Sequence, residues 1–164
     1  MRHDFIESRE EIEEILKEIP LGYLGMAMAG EPYVVPLNYA YIDGKILFHC
    51  ALEGKKLDYM AANPRVCFSV ARQPDAEVRQ HGQGDACHSD ADSVICYGRA
   101  RIIDNLEERH QALNDFNRYF RRDAKEIPLR RVETCGMVEI TVEEMTGRRE
   151  CDREVTCWHH VFAT

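Results

Sequence analysis

Apolar and polar positions change period several times along the chain, and each change marks an element. Ile12, Ile15, Leu16 and Ile19 recur three and four residues apart, the stripe of an amphipathic helix. Ser8-Arg9-Glu10-Glu11 in front of them has the form of a capping box, in which Ser8 and Glu11 satisfy orphan amides reciprocally. Pro20 closes the segment, so a helix is expected over about residues 8–18, packed as a lid on a sheet. Residues 21–29 (LGYLGMAMA) read as a strand in which Gly22 and Gly25 permit close approach or strong bending. Residues 32–41 and 45–50 read as the arms of a hairpin. Asp43-Gly44 between them suits a type I′ turn, whose two central residues need positive φ. After Gly54-Lys55-Lys56, the residues Leu57, Met60 and Ala61 follow at helical spacing until Asn63-Pro64.

Residues 66–71 (VCFSVA) are apolar at nearly every position and are expected to be a strand buried on both faces. Residues 93–103 form a long strand with Arg99 and Arg101 on one side, read as a solvated face in preference to part of an anion-facing wall. Asn105 with Glu108 opens another helix, carrying Leu106, Leu113, Phe116 and Phe120 on one face to about residue 121, with His110 packed on that face. Residues 121–133 are a charged connection broken by Pro128, and residues 137–142 are the last clear strand. About six strands and two or three capped helices predict a mainly β chain, a predominantly antiparallel barrel with helices outside.

The chain has 164 residues, 45% of them hydrophobic, a size that makes one domain with a real core. No run approaches the ~20 apolar residues of a membrane span. The start, MRHDFIESREE, lacks the apolar region of a signal peptide, so a cytoplasmic protein without membrane association is expected. A net charge of −8 argues against a broad nucleic-acid surface but leaves room for a local anion site. The seven cysteines are expected to be reduced. Residues 73–92 are long for a connection, where ~4–6 residues is usual, and read as an extended loop over a site or a dimer contact. His81, Cys87 and His88 in that stretch match no strong zinc spacing. A metal module using Cys87, His88, Cys151 and Cys157 is a distant alternative, and no metal is expected.

The most informative stretch is residues 32–66. A Gly-Lys-Lys turn between a strand end and a helix start offers free amides, the positive end of a helix dipole and two ammonium groups, which together favour an anion such as a phosphate ester. On residue type alone a solvated lysine pair is the more ordinary explanation. The sequence of motifs Val34-Val35-Pro36-Leu37-Asn38-Tyr39, Phe48-His49-Cys50, Gly54-Lys55-Lys56 and Asn63-Pro64-Arg65-Val66 resembles the FMN-binding split-barrel proteins related to pyridoxamine 5′-phosphate oxidase. Within that family it looks most like the nitroimidazole-reductase-like branch. The resemblance covers about residues 12–147 and implies a split six-stranded antiparallel Greek-key barrel over residues 1–147, with residues 148–164 left as a C-terminal tail.

The resemblance further implies a homodimer with FMN in the groove between subunits, FAD or haem being less expected. It places Val35, Pro36, Leu37, Asn38 and Tyr39 under the flavin ring, and His49 and Cys50 toward its phosphate and ribityl chain. Lys55 and Lys56 correspond to the phosphate-binding pair, and Ser93 stands where many relatives place a longer Gln. Tyr39 and His49 read equally well as structural residues, and Cys50 as a small buried hydrophobe. No catalytic side chain is assigned, because the flavin carries the chemistry. The chain departs from true pyridoxamine phosphate oxidases at its end, Cys157-Trp158-His159-His160-Val161-Phe162. The implied activity is therefore reduction of a small electrophile such as a nitro compound or quinone. The alternatives are a haem-binding split barrel with His159 or His160 as axial ligand, and a flavin-binding protein without turnover.

Overall fold

The computed structural model describes residues 5–73, 90–151 and 154–163. The chain runs β1 (Phe5–Glu7), α1 (Arg9–Glu18), β2 (Leu21–Met28), β3 (Glu31–Asn38), β4 (Ala40–Ile42), β5 (Lys45–Cys50), α2 (Lys55–Ala62) and β6 (Arg65–Arg72). It continues through β7 (Ala91–Ile102), α3 (Leu106–Phe120), α4 (Leu129–Val132), β8 (Gly136–Cys151) and β9 (Glu154–Val161). The strands form one sheet in the order β1-β9-β8-β7-β6-β2-β3, with β5 also on β8 and β4 on β5. This is a mainly β split barrel with flanking helices, as the pattern predicts.

The split lies along one edge of β8. Its first half, Gly136 to Thr141, pairs with β5, and its second half, Glu144 to Cys151, pairs with β9. On its other edge β8 pairs continuously with β7 apart from an irregularity at Tyr97/Gly98. Gly98 has no room for a side chain, because a Cβ there would lie 2.2 Å from the Thr141 carbonyl oxygen.

Local chemistry explains the ends of the elements. Ser8 caps α1 by accepting from the Glu11 amide, and Asn105 caps α3 by accepting from the Glu108 amide at 2.9 Å. The reciprocal half of the second box is diverted, since the Glu108 carboxylate binds Arg101 instead. Asp43 and Gly44 have φ of 48° and 78°, as a type I′ hairpin requires.

Four expectations need correction. Residues 32–41 are not one arm of a hairpin. β3 pairs with β2, the chain turns at Tyr39, and only β4 pairs with β5. The reason is Tyr39 itself, 1% exposed, whose hydroxyl donates to the Leu16 carbonyl at 2.5 Å and draws the chain inward beneath α1. Second, β6 is not buried on both faces: Val66, Phe68 and Val70 point inward, while Arg65 and Ala71 are exposed and Cys67 and Ser69 half-buried. Third, the sheet is not wholly antiparallel, because β1 lies parallel to β9. Fourth, residues 148–151 continue β8 and residues 154–161 form β9, so the end of the chain is part of the sheet.

Two apolar clusters hold the molecule. The barrel interior gathers Ile12, Ile15 and Leu16 of α1 against Leu24, Phe48, Phe68 and Ile140, each such side chain contributing roughly 1.5–3 kcal/mol on burial. A second cluster on the far side of β5 and β8 joins Leu47 and Met137 to Leu113 and Phe116 of α3 and Val132 of α4. Alternation along β5 therefore sends successive side chains to different clusters, and this decides where its last residues face.

Candidate functional site

At the end of β5 the chain leaves the sheet through residues 51–54 and enters α2 at Lys55. Gly54 stands at the N-cap with φ of 133°, and no side chain caps the helix. A Cβ added to Gly54 would meet nothing within 4 Å, so this helix start opens onto free space with its first amides available. The Lys55 ammonium lies over the Tyr33 ring at 4.5 Å and the Tyr59 ring at 5.4 Å, a cation–π seat that holds it beside the helix start. Lys56 is half-buried. Burial pushes the Cys50 thiol up, and the nearby Lys56 charge opposes that shift. Cys50, Lys55 and Lys56 thus form one basic corner.

The other expected site residues are spread around it. Val35 and Leu37 turn inward against the barrel core, whereas Pro36 and Asn38 are exposed on the outer face of β3. Tyr39 is a core residue, its ring edge-on to Phe68 at 4.6 Å, and burial lifts its hydroxyl far above the usual tyrosine range. His49 faces away from Cys50, as neighbours on a strand must, and its ring meets Phe116 of α3 at 5.1 Å. Ser93 stands on β7, paired with Ala71 of β6 and Arg148 of β8. The structure therefore brings together Cys50 and the two lysines, and turns His49 and Tyr39 to other partners.

The outer face of the sheet is apolar and open. Register aligns Pro36, Tyr23, Ser69 and Ile95 in one row and Val34, Gly25, Cys67 and Tyr97 in the next. Tyr23, Val34, Ile95 and Tyr97 are 46%, 59%, 39% and 40% exposed. A contiguous exposed apolar patch of this kind marks an interaction surface. Sequence reading missed it, because β6, which runs through both rows, reads from its sequence as buried on both faces.

It also missed a cleft of about 430 Å³ on the His49 side of β5, closed by α3 and α4. Leu113 and Phe116 form its floor, and Asn117, Arg131, Thr134 and Cys135 stand at its rim. The only sequence signal for it was the basic run around Pro128. Burial pushes the Cys135 thiol up, opposed by its hydrogen bond to the Cys50 carbonyl and by the Arg109 charge. Arg109 Nε is the one buried side-chain polar atom without a hydrogen-bond partner among the described residues.

The adjacent histidines of β9 point to opposite faces. His159 meets Glu144 at 3.0 Å, and His160 lies edge-on to Phe162. His81, Cys87 and His88 lie outside the described residues, and among the described residues no three potential ligands gather for a metal. Also among the described residues, no helix is long and apolar enough to cross a membrane.

Comparison with known proteins places this geometry. A structure proposed as a 5-nitroimidazole antibiotic resistance protein from Bacteroides thetaiotaomicron superimposes with a TM-score of 0.74 at 27% identity, over 88% of this chain and 85% of that one. An FAD-binding protein from Mesorhizobium loti gives 0.63 at 28% identity, over 88% of this chain and 96% of that one. An uncharacterised protein of Rhizobium meliloti is 34% identical over 64 residues, 39% of this chain and 42% of the relative, so the match spans less than half of that protein. The family model described as pyridoxamine 5′-phosphate oxidase matches residues 8–149, from the cap of α1 into the last residues of β8, short of its end at Cys151. With the split barrel, the open basic corner and nearly the whole chain inside that match, this protein belongs to the pyridoxamine 5′-phosphate oxidase family.

Proposed function

We propose that the protein is an FMN-dependent oxidoreductase of the cytoplasm that reduces a small electrophile, such as a nitro compound or quinone, as a homodimer with flavin between subunits. The observation that carries this reading is the corner at Gly54, Lys55 and Lys56, an uncapped helix start with two cations beside it. These residues fit the phosphate end of FMN. The amides of the first turn supply donors, Gly54 leaves the approach clear, and the cations supply opposite charge. Asn38 and Pro36 line the outward edge of β3, where a flat ring system finds one polar side chain and an apolar surface.

When bound, flavin supplies the hydride or electron transfer, and the protein's part is to hold and orient it. The apolar rows through Tyr23, Val34, Ile95 and Tyr97 support a second copy as the cover that keeps water from such a site. The relatives named for nitroimidazole resistance and FAD binding support reductase and flavin chemistry. The free thiols of Cys50, Cys67, Cys96 and Cys135 suit a reducing compartment.

The test is the double variant Lys55→Ala with Lys56→Ala. Contacts to an ionised phosphate are worth about 1.5–3 kcal/mol each, so flavin affinity should fall at least ~100-fold while the melting temperature stays near that of the parent. Stoichiometric flavin retained by the folded double variant would remove the assignment.

A further inference from the structure

The cleft between β5, α3 and α4 takes no residue from the Gly54-Lys55-Lys56 corner, yet it is built in a particular way. Its wall at Ile127 is clamped from both sides. The Ile127 amide donates to Asn114 Oδ1 at 2.9 Å, and its carbonyl meets His110 Nε2 at 2.7 Å. Pro128 then starts α4 and presents Arg131 at the rim. The floor is aromatic and aliphatic, with Phe116 and Leu113 buried. Around it stand three polar side chains, His49, Asn117 and Arg131, that make no side-chain hydrogen bond or ion pair with any described residue; His49 makes only its ring contact with Phe116.

The local charge is opposite to that of the whole molecule. The chain carries −8 overall, yet residues 118–133 hold six basic residues, Arg118, Arg121, Arg122, Lys125, Arg130 and Arg131, against Asp123, Glu126 and Glu133. Ion pairs hold Arg118 and Arg121, whereas Arg131 faces the cleft. An unpaired guanidinium over an aromatic floor selects a planar ligand that ends in a carboxylate. The ring buries apolar area against Phe116, the guanidinium offers a two-pronged match to the carboxylate, and Asn117 and His49 add donors at the sides. About 430 Å³ suits a molecule of one or two rings.

We propose that this cleft binds a small aromatic carboxylate, with Arg131 as the residue that reads its charge. As a substrate subsite it rests on the flavin reading. As a binding site it stands without it.

The test is calorimetric titration of the full-length protein, as purified, with benzoate and with the uncharged benzamide, while flavin content is read from absorbance. Benzoate should bind once per chain, with benzamide at least tenfold weaker. Arg131→Gln should weaken benzoate at least tenfold and leave flavin content and melting temperature unchanged. The Lys55→Ala, Lys56→Ala variant should lose flavin and still bind benzoate, so that failure of the flavin reading and failure of this one give different results. Absence of benzoate binding, equal affinity for benzamide, indifference to Arg131→Gln, or competitive displacement of benzoate by added FMN would each overturn the proposal.

Discussion

Asp92 of β7 is a buried carboxylate that joins charged groups of neighbouring strands. It is 5% exposed and receives Arg149 Nε at 2.8 Å from β8 and Arg72 Nη2 at 2.8 Å from β6. Arg72 also reaches Glu18 of α1 at 2.6 Å, so one carboxylate ties three strands to the lid helix. Asp92→Asn removes the charge and leaves both guanidiniums facing an amide. Removing one partner of a fully buried pair costs about 3–5 kcal/mol, and an exposed pair is worth ~0–1 kcal/mol. The arginine side chains are 36% and 38% exposed, so the cost here lies between these limits, at roughly 2 kcal/mol. For a chain of this size that is a fall in melting temperature of about 4–8 °C at pH 7.

The same network sets a pH signature. Burial pushes the Asp92 carboxyl up, but hydrogen bonds from Arg149 and Arg72 outweigh it and hold the group below its ordinary value. A depressed carboxyl contributes stability that is fully present above the unfolded value near ~3.9 and is lost as pH falls through the folded one. The gap between parent and Asp92→Asn, measured by thermal melts or urea titration, should therefore be constant from neutral pH to about pH 5 and shrink below ~4. A variant that melts with the parent at pH 7, or a gap that does not narrow in acid, would refute the reasoning.

Further outcomes follow from other contacts. Gly22→Ala puts a Cβ 2.0 Å from the Phe68 ring and should cost about 1–3 kcal/mol by overpacking; Phe68→Leu in the same chain should recover part of it in a denaturation cycle. Tyr39→Phe removes the hydrogen bond to Leu16 and should cost roughly 1–2 kcal/mol in urea titration, with flavin content unchanged because Tyr39 is a core residue. Loss of flavin from folded Tyr39→Phe would return that residue to the site.

How far the chain could be read depended on whether the signal was local. Ser8, Asn105 and Asp43-Gly44 act on their own backbone, and each holds its expected place. The stripe of Ile12, Ile15 and Leu16 is likewise buried in full. What escaped depends on partners distant in sequence. The turn at Tyr39 is set by a carbonyl 23 residues away, and a strand as apolar as β6 carries no mark that one of its faces stays open. β9 was unread because His159-His160 drew attention as chemistry, while its pairing with β8 is a property of the sheet.

The candidate site divides in the same way. Gly54-Lys55-Lys56 is a continuous motif and forms a single corner. The facing of His49 follows from alternation on β5, yet what it faces required α3. Arg131 belonged to a stretch legible only as charged, and its position at a cleft rim depends on the clamp that Asn114 and His110 place on Ile127.

The most direct measurement is the visible absorption spectrum of the purified, untagged protein before and after addition of FMN. The account predicts the two-band spectrum of a bound flavin at one per chain. A colourless protein that takes up no flavin, or one showing a sharp Soret band instead, would contradict it.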